Sequence, residues 1–249
     1  AIENGKVFVL EANPRASRTV PLVSKVCNVR MVPIATEIIT RELTGKESPV
    51  PALEEKVIPY YGVKEAAFPF NMFQEVDPLL GPEMRSTGEV LGLSESYGEA
   101  FYKAQEAVQS KLPLSGTVLI SVNRKDKAEV VEVAKLFHEN NFRIIATEGT
   151  CQLINEAGIP AEKVKKLCEG RPNVLDEITN GKVDIIVNSP VGKDSVYDDS
   201  YLRKAAIKGR IPYCTTMAAA MAAATGIHAV NNHDGGKIAS LQELHGRIK

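Results

Sequence analysis

Two stretches of this sequence carry side chains that could do chemistry. The first is Glu11-Ala-Asn13-Pro-Arg15, with Arg18 just beyond it. Read as the end of the apolar strand before it, alternation projects Glu11 and Asn13 to one face. A carboxylate and an amide oxygen two residues apart suit a hard cation such as Mg2+. Arg15 and Arg18 suit phosphate oxygens, which accept bidentate hydrogen bonds. Together they would make half of a nucleotide–metal site. The same residues would serve equally as a strand end running into a proline turn with solvated charges. The second stretch is Thr147-Glu-Gly-Thr150, between a strand and a helix. Gly149 permits a tight turn, and Thr147 and Thr150 offer hydroxyls. The helix N-terminus adds free N–H groups and positive dipole character. This is a phosphate seat, to which Lys127 and Lys166 could bring countercharge. Glu148 opposes an anion there unless it points away. Threonine is also a common helix N-cap, so this turn alone does not separate a ligand site from a cap.

The elements that would position these residues change character near 111–116. Before that segment the chain reads as irregular and rich in turn signals, among them Ser48-Pro-Val-Pro51, Asp77-Pro78 and Gly81-Pro82. After it, strands and helices alternate. Strands are expected over 116–122, 142–147, 183–188 and 211–216, with a short edge strand over 163–167. Helices are expected over 127–140, 150–156, 174–180, 198–208 and 217–225. The helix over 127–140 places Val130, Val131, Ala134, Phe137 and His138 on one stripe. The Ala-rich helix over 217–225 must pack closely on its neighbours. Such alternation implies an α/β fold: a doubly wound parallel sheet with helices on both faces. Ligands then bind beyond the carboxyl ends of the strands. Four strands end in polar residues there, at Ser121, Thr147, Asn188-Ser189 and Thr215-Thr216. That shared edge favours a ligand site over four separate caps. No histidine falls at a strand end, which suits binding without catalysis.

The 249 residues suffice for one large or two ordinary domains. Thirty basic and 31 acidic residues leave a formal net charge of −1, without the basic surplus of a nucleic-acid binder. No apolar run approaches the roughly 18–20 residues a membrane helix needs, and no secretory signal is visible. Cys27, Cys151, Cys168 and Cys214 form no Cys-x-x-Cys pair, which reads as reduced thiols in a cytoplasmic protein.

Glu11-Ala-Asn-Pro-Arg-Ala-Ser-Arg-Thr-Val-Pro21 resembles the metal-binding strand of ATP-grasp enzymes, specifically the carbamoyl-phosphate synthase large subunit. The resemblance continues through Lys56-Val-Ile-Pro-Tyr-Tyr-Gly-Val-Lys-Glu65, Phe68-Pro-Phe-Asn71 and Asp77-Pro-Leu-Leu-Gly-Pro-Glu-Met-Arg-Ser-Thr-Gly-Glu-Val90. The second half resembles that subunit's regulatory domain, of the methylglyoxal-synthase-like fold. The resemblance implies that 1–112 is a partial α+β ATP-grasp remnant and 113–249 an allosteric domain. Glu11 and Asn13 then match metal ligands of the second ATP-grasp unit, and Arg15 a phosphate-contacting position. Lys127, Thr147, Thr150, Lys166 and Asn188 match positions holding the phosphate and sugar of a nucleotide effector such as UMP or IMP. Glu65, Tyr213 and Thr215 match positions near an ornithine effector site. Two positions depart from the pattern: Asn188-Ser-Pro190 stands where some members have Asn-Thr-Thr, and Cys214 where they carry Asp.

The parent enzyme would be a ligase making carbamoyl phosphate from bicarbonate, glutamine-derived ammonia and ATP, with Mg2+ or Mn2+. Its product would feed pyrimidine synthesis, arginine synthesis or both. Partners would be the rest of the large subunit and a small glutaminase subunit, but no nucleic acid or membrane. Association of copies through the allosteric domain stays open. The absent Met and half-formed metal site suggest a fragment, expected to hold no cofactor and turn over no ATP by itself. Two other readings are a free-standing methylglyoxal-synthase-like lyase on a triose phosphate, and a non-catalytic nucleotide-binding module. The run Arg171-Pro-Asn-Val-Leu-Asp176 lacks the Gly-Gly-Asp expected of the lyase.

Overall fold

The computed structural model of the chain describes residues 1–47, 55–72, 84–189, 196–232 and 238–249, with backbone alone at 71 and 196–199. The proline-rich stretch 48–51, the first half of the Asp77–Val90 run, Pro190 and His233 lie outside the described residues. The chain forms two compact units, Ala1–Ile58 with Leu241–Lys249, and Pro59–Ser240.

The first unit opens with a hairpin, β1 (Ile2–Glu3) against β2 (Lys6–Val7). Asn4 and Gly5 turn it, both at positive φ (49° and 74°). An Asn-Gly pair favours that turn because both central residues must be left-handed. Helices α1 (Thr19–Cys27) and α2 (Met31–Leu43) follow. Each carries a proline at its third residue, Pro21 and Pro33, where the missing N–H has no intrahelical partner to lose. Asn28, left-handed at φ 52°, ends α1. Neither helix has a fully buried residue. The C-terminal helix of the chain, Leu241–His245, belongs to this unit too, and the His245 ring meets the Lys25 carbonyl at 2.6 Å.

In the second unit, β3 (Tyr61–Ala67) and β4 (Gly88–Ser94) pair antiparallel, and α3 (Tyr97–Ala107) packs on them. Ser96 caps α3 by accepting from the Glu99 N–H at 3.3 Å. The expectation of an irregular first half is therefore corrected: the described residues of 19–107 include three α-helices and a two-stranded ribbon. Proline and glycine punctuation obscured helices that tolerate proline in their first turn.

The rest is a five-stranded sheet of β5 (Gly116–Ser121), β6 (Phe142–Thr147), β7 (Glu162–Val164), β8 (Ile185–Asn188) and β9 (Tyr213–Cys214). All pairings are parallel, in the order β7-β6-β5-β8-β9. Side chains alternate across it. Val118, Ile120, Ile144 and Val187 face α4 (Val130–Glu139), α5 (Glu148–Glu156) and α8 (Met217–Asn232), while Leu119, Ile145 and Ile186 face α6 (Val174–Thr179) and α7 (Val196–Gly209). The doubly wound α/β expectation is borne out.

Three local readings change. The buried stripe of α4 is Val130, Val133, Ala134 and Phe137, with His138 exposed. The run starting at Val130 is the one with i, i+3, i+4, i+7 spacing. Helix α8 runs seven residues past Thr225, through Gly226. That glycine sits where α8 meets α3: a Cβ on Gly98 would fall 2.7 Å from the Thr225 carbonyl oxygen. Packing on α3 outweighs the glycine as a stop signal. Segment 111–116, whose position at the change of character marks it as a linker, is instead tied down, with Leu112 buried and the Leu114 carbonyl accepting from Asn231 at 3.0 Å.

Candidate functional site

The strand order reverses between β5 and β8, which sets a switch point at their carboxyl ends, the place where open α/β sheets bind ligands. Ser121 ends β5 and Asn188 ends β8, in register with each other. The Ser189 N–H extends the pairing to the Ser121 carbonyl at 3.2 Å. The loop after β5 is fixed to that rim. Asn123 donates to the Ser189 hydroxyl from its backbone N–H (3.0 Å) and its side-chain amide (3.2 Å). The same amide donates to Asp126 at 2.7 Å, and its oxygen accepts from the Lys125 N–H at 2.7 Å. Asn123 and Asp126 escaped the sequence reading, although Asn-x-x-Asp at a strand-to-helix loop signals such a self-bonded turn.

Thr147 ends β6 directly at α5, so no turn separates strand from helix. Thr147 takes the N-cap position with an extended backbone, but its side chain makes no cap hydrogen bond. Its hydroxyl instead meets the Ser121 hydroxyl at 3.2 Å. Thr150 is turned inward too, accepting from the Val122 N–H at 3.5 Å. Both threonines are buried, at 4% and 2% exposure. The first N–H groups of α5 thus get no side-chain cap from Thr147, and its dipole stays available to an anion. Gly149 has a different role from the expected tight turn. It lies in the first turn of α5, and its missing side chain admits the Lys127 amine, which donates to the Gly149 carbonyl at 3.1 Å. Lys127 comes from a short 3-10 turn, Asp126–Ala128, rather than from α4 itself. Glu148 pairs with Lys163 of β7 at 2.6 Å, which neutralises the charge that would oppose an anion. Lys166 is exposed and lies two residues beyond Val164, the register partner of Thr147, so it shares the rim through the backbone.

A cavity lies at the β9 edge. Glu65 of β3 and Tyr213 and Thr215 at the end of β9 line one cavity of about 670 Å³, together with Gln105, Arg203 and Arg210. Sequence order gave no hint of these last three, which stand on or just after helices. Phe68 and Phe70, stacked at 5.3 Å, add an apolar wall. Burial pushes the Glu65 carboxyl above its ordinary range. The Ala66 N–H and the Gln105 amide, which donates at 2.9 Å, partly offset this. Full burial raises Cys214 to about 12, so it stays a thiol and no nucleophile. The buried Asn188 amide donates to the Tyr213 hydroxyl at 2.6 Å and joins rim to cavity.

Glu11, Asn13 and Arg15 are placed differently from expectation. The strand stops at Val7, and all three are exposed in irregular backbone. A two-residue hairpin has no sheet to extend it. The Asn13 amide donates to Glu11 at 3.1 Å, which still leaves the Asn13 oxygen and one carboxylate oxygen as hard donors. Among the described residues no group of three His, Cys, Asp or Glu could hold a metal. No described helix is long and apolar enough to cross a membrane.

Residues 129–215 match the family of the MGS-like domain. The carbamoyl phosphate synthase large chain of Gemmatimonas aurantiaca is 46% identical over 98% of this chain, which spans 22% of that relative. The "Carbamoyl phosphate synthase large chain, C-terminal section" of Methanocaldococcus jannaschii is 45% identical over the whole of this chain and 41% of its own length. The solved methylglyoxal synthase of Elizabethkingia anophelis aligns at a TM-score of 0.38 and 16% identity, over 52% of this chain and 89% of its own. The chain thus spans between about a fifth and two fifths of these curated relatives. With an MGS-like domain in its second half, it is similar over nearly its whole length to the C-terminal part of carbamoyl phosphate synthase large chains.

Proposed function

We propose that this chain is the effector-binding C-terminal part of the large subunit of a carbamoyl-phosphate-forming ligase. In that reading 1–112 closes the second ATP-grasp unit and 113–249 is the allosteric domain. The observation that carries it is the joining of Ser121, Thr147, Lys127 and Asn188-Ser189 along one rim at the sheet's switch point. That arrangement, in a chain 46% identical to such a large chain, suits a nucleotide phosphate. The phosphate lies against the start of α5, where Lys127 and Lys166 supply countercharge. Thr147 and Thr150 shape the seat from beneath, and Asn188 closes its β8 side. In the cavity, Glu65 pairs with an amine such as that of ornithine, while Tyr213 and Thr215 orient it.

Glu11 and Asn13 supply two hard oxygen donors to a Mg2+ or Mn2+ site, and Arg15 faces phosphate. The metal would neutralise charge on ATP phosphates. The other ligands come from the remainder of the large subunit. Val9, Leu10 and Leu43 are at least 80% exposed. Helices α1 and α2 bury nothing fully, which suits apolar surface that further chain covers. A glutaminase subunit would deliver ammonia to the assembled cytoplasmic enzyme. Calorimetry on the 249-residue chain tests the reading. UMP or IMP is expected to bind, and Lys166→Ala to weaken it. No heat from UMP, IMP or ornithine would overturn the effector role. Metal-dependent ATP turnover by the chain alone would overturn the incomplete ATP-grasp assignment.

A further inference from the structure

Asn123 holds the loop that leads into Lys127, and both polar atoms of its side chain take part. The oxygen accepts from the Lys125 and Asp126 N–H groups at 2.7 and 3.2 Å, which closes the turn. The amide donates to the Asp126 carboxylate at 2.7 Å and to the Ser189 hydroxyl at 3.2 Å. The Asn123 backbone N–H reaches the same hydroxyl at 3.0 Å. Ser189 is 4% exposed, and its own N–H is fixed to the Ser121 carbonyl at 3.2 Å. The 3-10 turn Asp126–Ala128 follows at once, and from it the Lys127 amine reaches the Gly149 carbonyl at 3.1 Å. We infer that Asn123 is a positioning residue for the anion seat: it pins the Lys127 loop to the end of β8 and so holds the Lys127 amine at the first turn of α5.

The physical reason is the freedom of a lysine. Its ammonium is a point charge on a flexible stem, and a ligand that has to fix it loses affinity to the ordering. A loop already tied down has met that cost in folding. Arg124 and Lys125 are exposed, so polar contacts rather than apolar packing hold this loop. The Asn123 amide also occupies the Asp126 carboxylate, whose charge neighbours Lys127 along the chain. Released, that carboxylate is free to pair with the Lys127 amine in place of a phosphate, or to repel the phosphate.

This inference rests on the effector reading, and the experiment separates the two. The 249-residue chain and its Asn123→Ala, Lys127→Met and doubly substituted forms are titrated with UMP or IMP by calorimetry. Asn123→Ala is expected to weaken binding about fivefold, the scale of ordering one long side chain at an interface. Beside Lys127→Met the same substitution is expected to change affinity by less than about twofold, because losses routed through one group do not add. A purely structural Asn123 would cost the same in both backgrounds. A loss that persists in full beside Lys127→Met would therefore overturn the inference, as would equal affinities of Asn123→Ala and the native chain. Both results leave the effector reading standing. Unchanged binding in Lys127→Met alone would remove Lys127 from the seat and the role of Asn123 with it. Absence of binding to the native chain would overturn the effector reading and the inference together. If Asn123→Ala fails to fold, Asn123→Ser takes its place in the same cycle, with the same outcomes deciding. Its hydroxyl still accepts for the turn but falls one bond short of the amide that reaches Asp126 and Ser189.

Discussion

The Thr147 hydroxyl reaches across the sheet to Ser121, 26 residues away, instead of capping the helix that starts at its own position. A threonine at an N-cap ordinarily spends its oxygen on the first turn. Here the oxygen joins β6 to β5 and gives the start of α5 no side-chain cap. Thr147→Val, nearly isosteric, strands the Ser121 hydroxyl. It is expected to lower stability by about 1 kcal/mol, read as a shifted urea midpoint with an unchanged slope.

Lys127 brings its amine to the first turn of that helix, donating to the Gly149 carbonyl. Lys127→Met keeps the alkyl stem and removes the charge. Affinity for a phosphorylated nucleotide is expected to fall about tenfold, the range of a hydrogen bond to a charged group. The difference between native and variant should shrink as salt rises, since the native attraction is screened. Equal affinities at low salt would remove Lys127 from the seat.

Glu65 titrates above the ordinary carboxylate value of 4.5 because burial disfavours its charged form. The folded state therefore holds the proton more tightly than the unfolded chain. Its contribution to stability is fully present below 4.5 and is lost as pH rises through the higher folded value. Glu65→Gln is expected to flatten that part of the stability curve. A cationic amine bound beside Glu65 favours the carboxylate, so ornithine should release protons on binding in this window. Calorimetry in buffers of different ionisation enthalpy measures that release.

Gly98 lies against α8 so closely that its missing Cβ would sit 2.7 Å from the Thr225 carbonyl. Gly98→Ala is expected to cost about 1–3 kcal/mol, the range for overpacking a close contact. Thermal unfolding would measure it. An unchanged midpoint would mean that α3 and α8 can separate freely.

Phe137 is fully buried in α4 and meets Phe142 edge-to-face at 5.2 Å. Phe137→Ala is expected to cost about 3–5 kcal/mol. His138→Ala, one residue on and exposed, should cost little. Equal losses from the two would return His138 to the buried stripe.

The sequence alone determined the sheet. Apolar runs such as Val118-Leu-Ile120 and Ile185-Ile-Val187 are buried on both faces, which only a covered parallel strand requires. The helix between each pair follows from its own periodicity. Both are local signals, written within ten or so residues. The polar strand ends at Ser121, Thr147 and Asn188 were legible for the same reason, and parallel pairing placed them on one rim. First-half helices were hidden by Pro21 and Pro33, and the opening strand was overread because apolar residues 7–10 have no sheet to join. Only the tertiary structure decided who touches whom. Thr147 chose Ser121 over its own helix, Glu65 met Gln105 forty residues on, and Asn188 met Tyr213 twenty-five residues on. Those partnerships depend on the order β7-β6-β5-β8-β9 and on the packing of α3 and α7 beside it, and strand order follows from how the whole chain buries its apolar surface, not from any short stretch of it.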